Sequence, residues 1–187
     1  MRTDDPPCPP VQTARIRLRC VRPGDAIRTS EMMTSAVSRW LAYWPVPFTL
    51  EMAESRIAGA RDAARERKHL PFAAERLSDG ALLGWVMVNR AADCERRGTF
   101  GYWLGEEHHG QGYMREVAPA VLEAGFRLLD LDVIGATVHP DNPASLAVMR
   151  GCGMQRVGEG MMFMPARDRE EFCWSFERAR PPGASVP

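Results

Sequence analysis

The chain has 187 residues, 45% of them apolar, with 24 basic side chains against 24 acidic ones. One domain with a sizeable core is expected at this length, and the neutral charge balance argues against a nucleic-acid or membrane-surface partner. No apolar run approaches a membrane span, and five cysteines without a C-x-x-C pair read as reduced thiols of a cytoplasmic protein.

The opening M-R-T-D-D-P-P-C-P-P has no apolar signal segment. Residues 1–13 are expected to be a disordered lead, 14–178 the folded domain and 179–187 a flexible tail. Ile16, Leu18 and Cys20 alternate with Arg15, Arg17 and Arg19, which predicts a half-buried strand with a solvated basic face. Pro23-Gly24-Asp25 turns the chain, with Asp25 as N-cap, into one or two short helices over 26–43. R-W-L-A-Y-W-P-V-P-F cannot be one helix, because its two prolines break it. Its aromatics either wall a cleft or pack a helix end, as Trp40 and Trp44 would. Thr49 then caps a helix to about Arg67, with Leu50, Ala53, Ile57, Ala60 and Ala64 on one face.

A strand over 70–76, the turn Ser78-Asp79-Gly80, a strand over 82–89 and another over 99–104 predict three antiparallel strands in succession. Gly110, Gln111 and Gly112 follow, and then a long helix with Val117, Ala118, Val121, Leu122, Gly125, Leu128 and Leu129 in register. A strand over 132–138 is broken by His139-Pro140-Asp141-Asn142-Pro143. A helix over 144–150 ends at Gly151-Cys152-Gly153, and strands are expected near 155–157 and 172–176. The order gives an α/β (α+β) fold: a single domain with a mixed, mostly antiparallel sheet flanked by helices. The crossover makes strands 99–104 and 132–138 parallel.

A Gly-rich turn opening a helix gathers free N–H groups and the positive end of the helix dipole, which suits a phosphate or pyrophosphate. The glycines serve a tight turn equally well. A P-loop is excluded because no Lys follows Gly112. A dinucleotide fold is disfavoured: Arg115 stands where a third glycine belongs, and Asp130 and Asp132 lie at the next strand's start, not at a ribose.

Two stretches together, G-Y-W-L-G-E-E-H-H-G-Q-G-Y-M-R-E-V and V-H-P-D-N-P-A-S-L-A-V-M-R-G-C-G-M, resemble the GNAT superfamily of N-acetyltransferases, in particular its RimJ/RimL-like branch. The likeness runs from about Arg15 to Glu177, and L-A-Y-W-P resembles that branch's aromatic-Pro segment. The resemblance implies a GNAT-like domain with acetyl-CoA as co-substrate and no metal. It places the pyrophosphate on the N–H groups of Gln111, Gly112, Met114 and Arg115, in the turn that carries Tyr113. The backbone of Trp103 and Leu104 would pair with the pantetheine arm, and Asn142 and Ser145 would reach it from the far side. Asn142 and Ser145 would serve equally as helix caps.

Two positions depart from the family. Met114 replaces a small residue, so its side chain has to point away from the phosphates. Met149 replaces a frequent general-acid Tyr, which leaves Ser145 or water as proton donor. Glu106, Glu107, His108 and His109 are candidate bases, or else a solvated loop, with Glu106, Glu107 and Ser145 taken as the catalytic set. Glu116 suits the helix dipole.

No cysteine has a His-Asp partner in a motif, so direct attack by a neutral amine is expected. A Lys amine at about 10.4 is only about 0.1% neutral near pH 7.4, whereas an α-amine at about 7.8 is roughly a quarter neutral. The N-terminal α-amine of a protein or peptide is therefore the expected acceptor. The alternatives are an N-acetyltransferase acting on an aminoglycoside or polyamine and a non-catalytic acyl-CoA-binding module. A homodimer is left open.

Overall fold

The computed structural model describes residues 7–182. One eight-stranded sheet runs through it in the order β1-β2-β3-β4-β5-β6-β8-β7. The strands are β1 (Val11–Gln12), β2 (Ile16–Cys20), β3 (His69–Arg76), β4 (Leu82–Arg90), β5 (Arg97–Leu104), β6 (Val133–Val138), β7 (Gln155–Met164) and β8 (Arg169–Ala179). The helices are α1 (Ala26–Met32), α2 (Ser35–Ser38), α3 (Leu50–Arg65), α4 (Tyr113–Leu128) and α5 (Pro143–Gly151). Only β5 and β6 pair in parallel, as the crossover through α4 requires. No helix among the described residues is long and apolar enough to cross a membrane.

Two cores form, one on each face. α4 and α5 cover one face, where Val86, Val88, Phe100 and Ile134 meet Val117, Val121, Leu122 and Phe126. Each such side chain contributes about 1.5–3 kcal/mol of burial. Gly125 lets α4 lie close, since a Cβ there would stand 2.8 Å from Ile134 Cδ1. Pro119 sits inside α4 and removes one rung of its ladder. α1 and α3 cover the other face with Ala53, Ile57, Ala73, Trp85 and Trp103. Thr49 caps α3 by accepting from the Met52 N–H at 3.3 Å. Leu50, expected on the buried face, is exposed because it lies in the first turn, before α3 meets the sheet.

The aromatic-Pro segment divides its roles. Trp44 is buried edge-on against Trp85 and Trp103, with ring centroids 5.3 and 5.2 Å away, and Phe48 lies beside it. Trp40 stays half-buried and meets His139 at the end of β6, 5.8 Å between centroids. The turn between β7 and β8 reaches across to this segment. The Ala166 N–H donates to the Ala42 carbonyl at 2.8 Å, and Arg167 donates to the carbonyls of Ser38 and Leu41 at 3.1 and 2.9 Å.

Several boundaries differ from the sequence expectation. Order begins inside the expected lead, because Val11 and Gln12 pair with Leu18 and Arg17. The Thr13 hydroxyl and the Arg15 N–H both donate to Glu116 Oε1, at 2.6 and 2.7 Å, and Arg15 Nε donates to Oε2 at 2.7 Å. Residues 1–6 of that lead lie outside the described residues, as do 183–187 of the tail. Ala179, expected in the tail, pairs with Val133, and Arg180 donates to the carbonyls of Leu131 and Phe126. β7 and β8 run longer than expected because they pair with each other out to Met164 and Arg169. Arg19 does not belong to a solvated face. Its guanidinium is bidentate to Asp25 at 2.8 Å and donates to Glu75 at 2.7 Å. Asp25 is therefore no side-chain cap of α1: its carboxylate is taken by Arg19 and by the Arg22 N–H.

Glu116 is thus the tie between α4 and the N-terminal strands. Burial works to raise its pKa, but the Thr13 and Arg15 donors outweigh that and hold it below the usual carboxylate value. Glu116→Ala is expected to lower stability by about 1–2 kcal/mol. Urea unfolding checks this, and an unchanged midpoint would remove Glu116 from the account.

Candidate functional site

At the carboxyl end of β5 the sheet divides. β5 and β6 pair only at Arg97↔Val133, Gly98↔Ile134 and Thr99↔Gly135. β5 stays paired with β4 as far as Leu104, and β6 with β8 as far as Val138. Beyond Thr99 the two strands part, and one backbone edge of residues 100–104 faces a wedge. Such an edge pairs with any extended partner that carries amide groups. Gly84 (φ +153°) fixes β4 against this end of β5: a Cβ there would lie 2.2 Å from the Trp103 carbonyl oxygen. Trp103 turns its indole into the α1/α3 core, and Leu104 packs into the α4 core.

The next residues build a cradle. A short 3-10 turn, Glu106–His108, leads to Gly110 and Gly112, both left-handed (φ 72° and 76°). Gly112 stands at the N-cap of α4 without a capping side chain. The backbone N–H groups of residues 110–115 meet no acceptor among the described residues. A Cβ on Gly110 would meet nothing within 4 Å, and one on Gly112 only Arg15 Nη2 at 3.7 Å, so open space lies over both. The helix dipole adds positive potential at the same point. The loop is held in shape from below: Arg15 Nη1 donates to the Gln111 carbonyl at 3.1 Å, and Gln111 Nε2 donates to the Glu107 carbonyl at 2.8 Å.

Side chains in this turn divide as the alternation demands. Tyr113 and Met114 are buried, with Met114 in the main core and so directed away from the open side. Tyr113 stacks under Arg15 and accepts from Arg76 Nη1 at 3.4 Å. Gln111 and Arg115 are exposed. A diphosphate ester fits this donor set: several free N–H groups at a helix start, glycines that allow close approach, and Arg115 beside them.

The four candidate bases are already engaged or withdrawn. Glu106 accepts from the Thr34 hydroxyl, and Glu107 pairs with Arg28. The Glu107 carboxyl is held below its usual pKa first by its own backbone N–H, with His108 and Arg28 adding to the effect. His108 is buried with no partner for Nε2; burial lowers its pKa, against the pull of Glu107. His109 Nε2 lies 2.9 Å from the Leu104 carbonyl, which calls for the Nε2–H tautomer. These neighbours therefore point apart, and no group of three His, Cys, Asp or Glu side chains that could hold a metal occurs among the described residues.

Asn142 and Ser145 lie across the wedge from β5, on α5. The Asn142 side chain caps α5, accepting from the Ser145 N–H at 3.1 Å. The Ser145 hydroxyl accepts from Tyr102 Oη at 2.9 Å, a bond that spans the wedge. Burial pushes the Tyr102 phenol up to about 12, and the bond to Ser145 opposes this only in part. Tyr102 was not among the sequence candidates. Its alternation with Trp103 puts it on the α5 face, but no local signal ties it to a serine on another element. Met149 is buried in the core and has no proton to give.

The profile of the acetyltransferase (GNAT) domain matches residues 15–155, most of the chain. The uncharacterized N-acetyltransferase YoaA of Bacillus subtilis is 31% identical over 116 residues, 62% of this chain and 66% of YoaA, so the match spans just under two-thirds of that protein. Two solved structures share the fold. RimJ of Mycobacterium smegmatis, in complex with CoA-disulfide, superposes with a TM-score of 0.81 at 24% identity, covering 93% of this chain and 89% of RimJ. RimL, a ribosomal L7/L12 alpha-N-protein acetyltransferase in complex with coenzyme A, superposes with a TM-score of 0.78 at 16% identity, covering 91% and 98%. With its divided sheet, its glycine cradle and this profile, the chain belongs to the GNAT family of acetyltransferases, enzymes that draw their acetyl group from acetyl-CoA.

Proposed function

We propose that this protein transfers the acetyl group of acetyl-CoA to the N-terminal α-amine of a protein or peptide by direct attack. The observation that carries the reading is the row of unpaired N–H groups at 110–115 beside the open edge of β5. The N–H groups of Gln111, Gly112, Met114 and Arg115 would hold the diphosphate, with Tyr113 fixing the turn from beneath. The free edge of β5 would take the amide-bearing arm at the Leu104 N–H, opposite Asn142 and Ser145, while the backbone of Trp103, expected from the sequence to share this role, faces β4. Acetyl-CoA supplies an activated thioester. This chain's residues orient it and offer an N–H near Leu104 to its carbonyl oxygen.

Ser145, which accepts from Tyr102, would donate a hydrogen bond to the departing sulfur, the proton-donating role that Met149 cannot fill. Glu106 and Glu107 sit at the mouth with partners of their own. Glu107, held acidic beside Arg28, is a weak base. An acceptor that is already partly neutral suits such a mouth, and an α-amine at about 7.8 is one. RimL, named for acetylating an α-amine, shares the fold, which agrees with this choice.

The test follows thiol release from acetyl-CoA with peptides bearing free α-amines, the same peptides blocked at the N-terminus but carrying Lys, a polyamine and an aminoglycoside. Turnover on free-α-amine peptides is expected, with kcat/KM rising through a pH near 8. Turnover confined to the polyamine or aminoglycoside would replace this acceptor, and tight acetyl-CoA binding without turnover on any amine would remove the activity.

A further inference from the structure

The α1/α3 face of the sheet carries a groove of about 600 Å³, lined chiefly by Phe48, Met52 and Arg56 of the α3 region and by His69 at the start of β3. It is remote from the glycine cradle. His69 pairs with Asn89, while Leu104 pairs with Gly84, and these two β4 residues lie ~17 Å apart along the strand at about 3.4 Å per residue.

Arg56 is the unusual group here. Its guanidinium stacks over Trp44, 4.3 Å from the ring centroid, and lies 5.7 Å from that of Phe48. Its Nη2 donates to the Tyr43 carbonyl at 2.7 Å, and its Nε is buried without a partner. No carboxylate among the described residues pairs with it, although most of the chain's other partly buried arginines have one. Burial lowers its pKa with nothing acidic to offset the cost. A partly desolvated cation that has a carbonyl and two aromatic rings but no carboxylate beside it is stabilised further by an anion.

His69 adds a second unpartnered polar atom: its Nε2 is also buried without a hydrogen-bond partner. Burial brings its pKa to about 4, so at neutral pH the ring is an uncharged hydrogen-bond group. Glu51, exposed on the rim, lies along the same helix.

We propose that this groove binds a small monocarboxylate with an apolar or aromatic body. The carboxylate lies on Arg56 Nη1, which has no partner among the described residues, the body packs on Phe48 and Met52, and the His69 ring supplies a neutral hydrogen bond. Glu51 selects against a second negative charge.

Trp44, stacked on Arg56, reports occupancy through its fluorescence. Titration with 3-phenylpropanoate is expected to give a saturable change. The neutral 3-phenylpropanamide and the dicarboxylate phenylsuccinate are expected to bind at least about tenfold more weakly, and Arg56→Gln to weaken 3-phenylpropanoate by a similar factor. Gly59→Phe supplies the control for folding. A Cβ on Gly59, which lines the groove, would meet nothing within 4 Å, so a phenylalanine there is expected to fill the groove and abolish the response while the melting temperature and acetyl-CoA affinity stay unchanged. Equal binding of the amide or the dicarboxylate, binding that survives Arg56→Gln or Gly59→Phe, or no saturable response in the parent protein overturns the proposal.

Discussion

Gly112→Val is expected to abolish acetyl-CoA binding, with an affinity loss of at least about 100-fold, while the protein still folds. Gly112 stands at φ +76° and ψ 8°, where a β-branched residue is strained by about 1–3 kcal/mol. The loop relieves that strain by rotating, and rotation turns the N–H groups of 111–115 away from their common focus. A hydrogen bond to a charged group contributes about 1.5–3 kcal/mol, so losing two already exceeds 100-fold. The fold survives because the new side chain has only Arg15 Nη2, 3.7 Å away, as a neighbour. Calorimetric titration with acetyl-CoA and a thermal melt check both halves. An unchanged affinity would take the cradle out of the site, and an unfolded variant would make the loop structural.

Asp25→Ala is expected to cost about 3–5 kcal/mol, the range for removing one partner of a buried ion pair. The Asp25 side chain is 5% exposed and Arg19 is 14% exposed. Without the carboxylate, the Arg19 guanidinium loses both of its 2.8 Å bonds and keeps Glu75 and a 3.4 Å bond to the Cys20 carbonyl, and the Arg22 N–H loses its acceptor. A denaturant series measures the loss. Arg19→Met combined with Asp25→Leu and Glu75→Gln should lose less than Asp25→Ala alone, since neither Arg19 nor its two carboxylate partners then remains as a buried unpaired charge. A cost below about 1 kcal/mol would class the pair with exposed ones.

What the sequence revealed was local. The hairpin around Asp79, the crossover from β5 to β6 and the glycine turn into α4 each rest on signals within a few residues, and each stands in the structure. Distance in sequence concealed the rest. Asp25 has the composition of a helix cap, and only the return of β3 beside β2 brings Glu75 to the Arg19 that binds Asp25. β7 carries no period-two signal because both its faces are largely exposed, so its length is set by pairing with β8. Tyr102 meets Ser145 only because β5 and β6 separate after three paired residues, and no short motif encodes that separation. Arg56 is one more arginine on an amphipathic helix until Trp44 folds beneath it.

The clasp between the β7–β8 turn and the segment after α2 bears on kinetics. Arg167 reaches carbonyls 129 and 126 positions earlier in the chain. Closing so long a span is entropically costly and comes late, after nearer contacts have formed. Interactions absent from the transition state leave the folding rate alone and slow unfolding instead. The clasp is thus expected to act as a latch: Arg167→Ala should speed unfolding and leave the refolding rate unchanged, which stopped-flow kinetics would read.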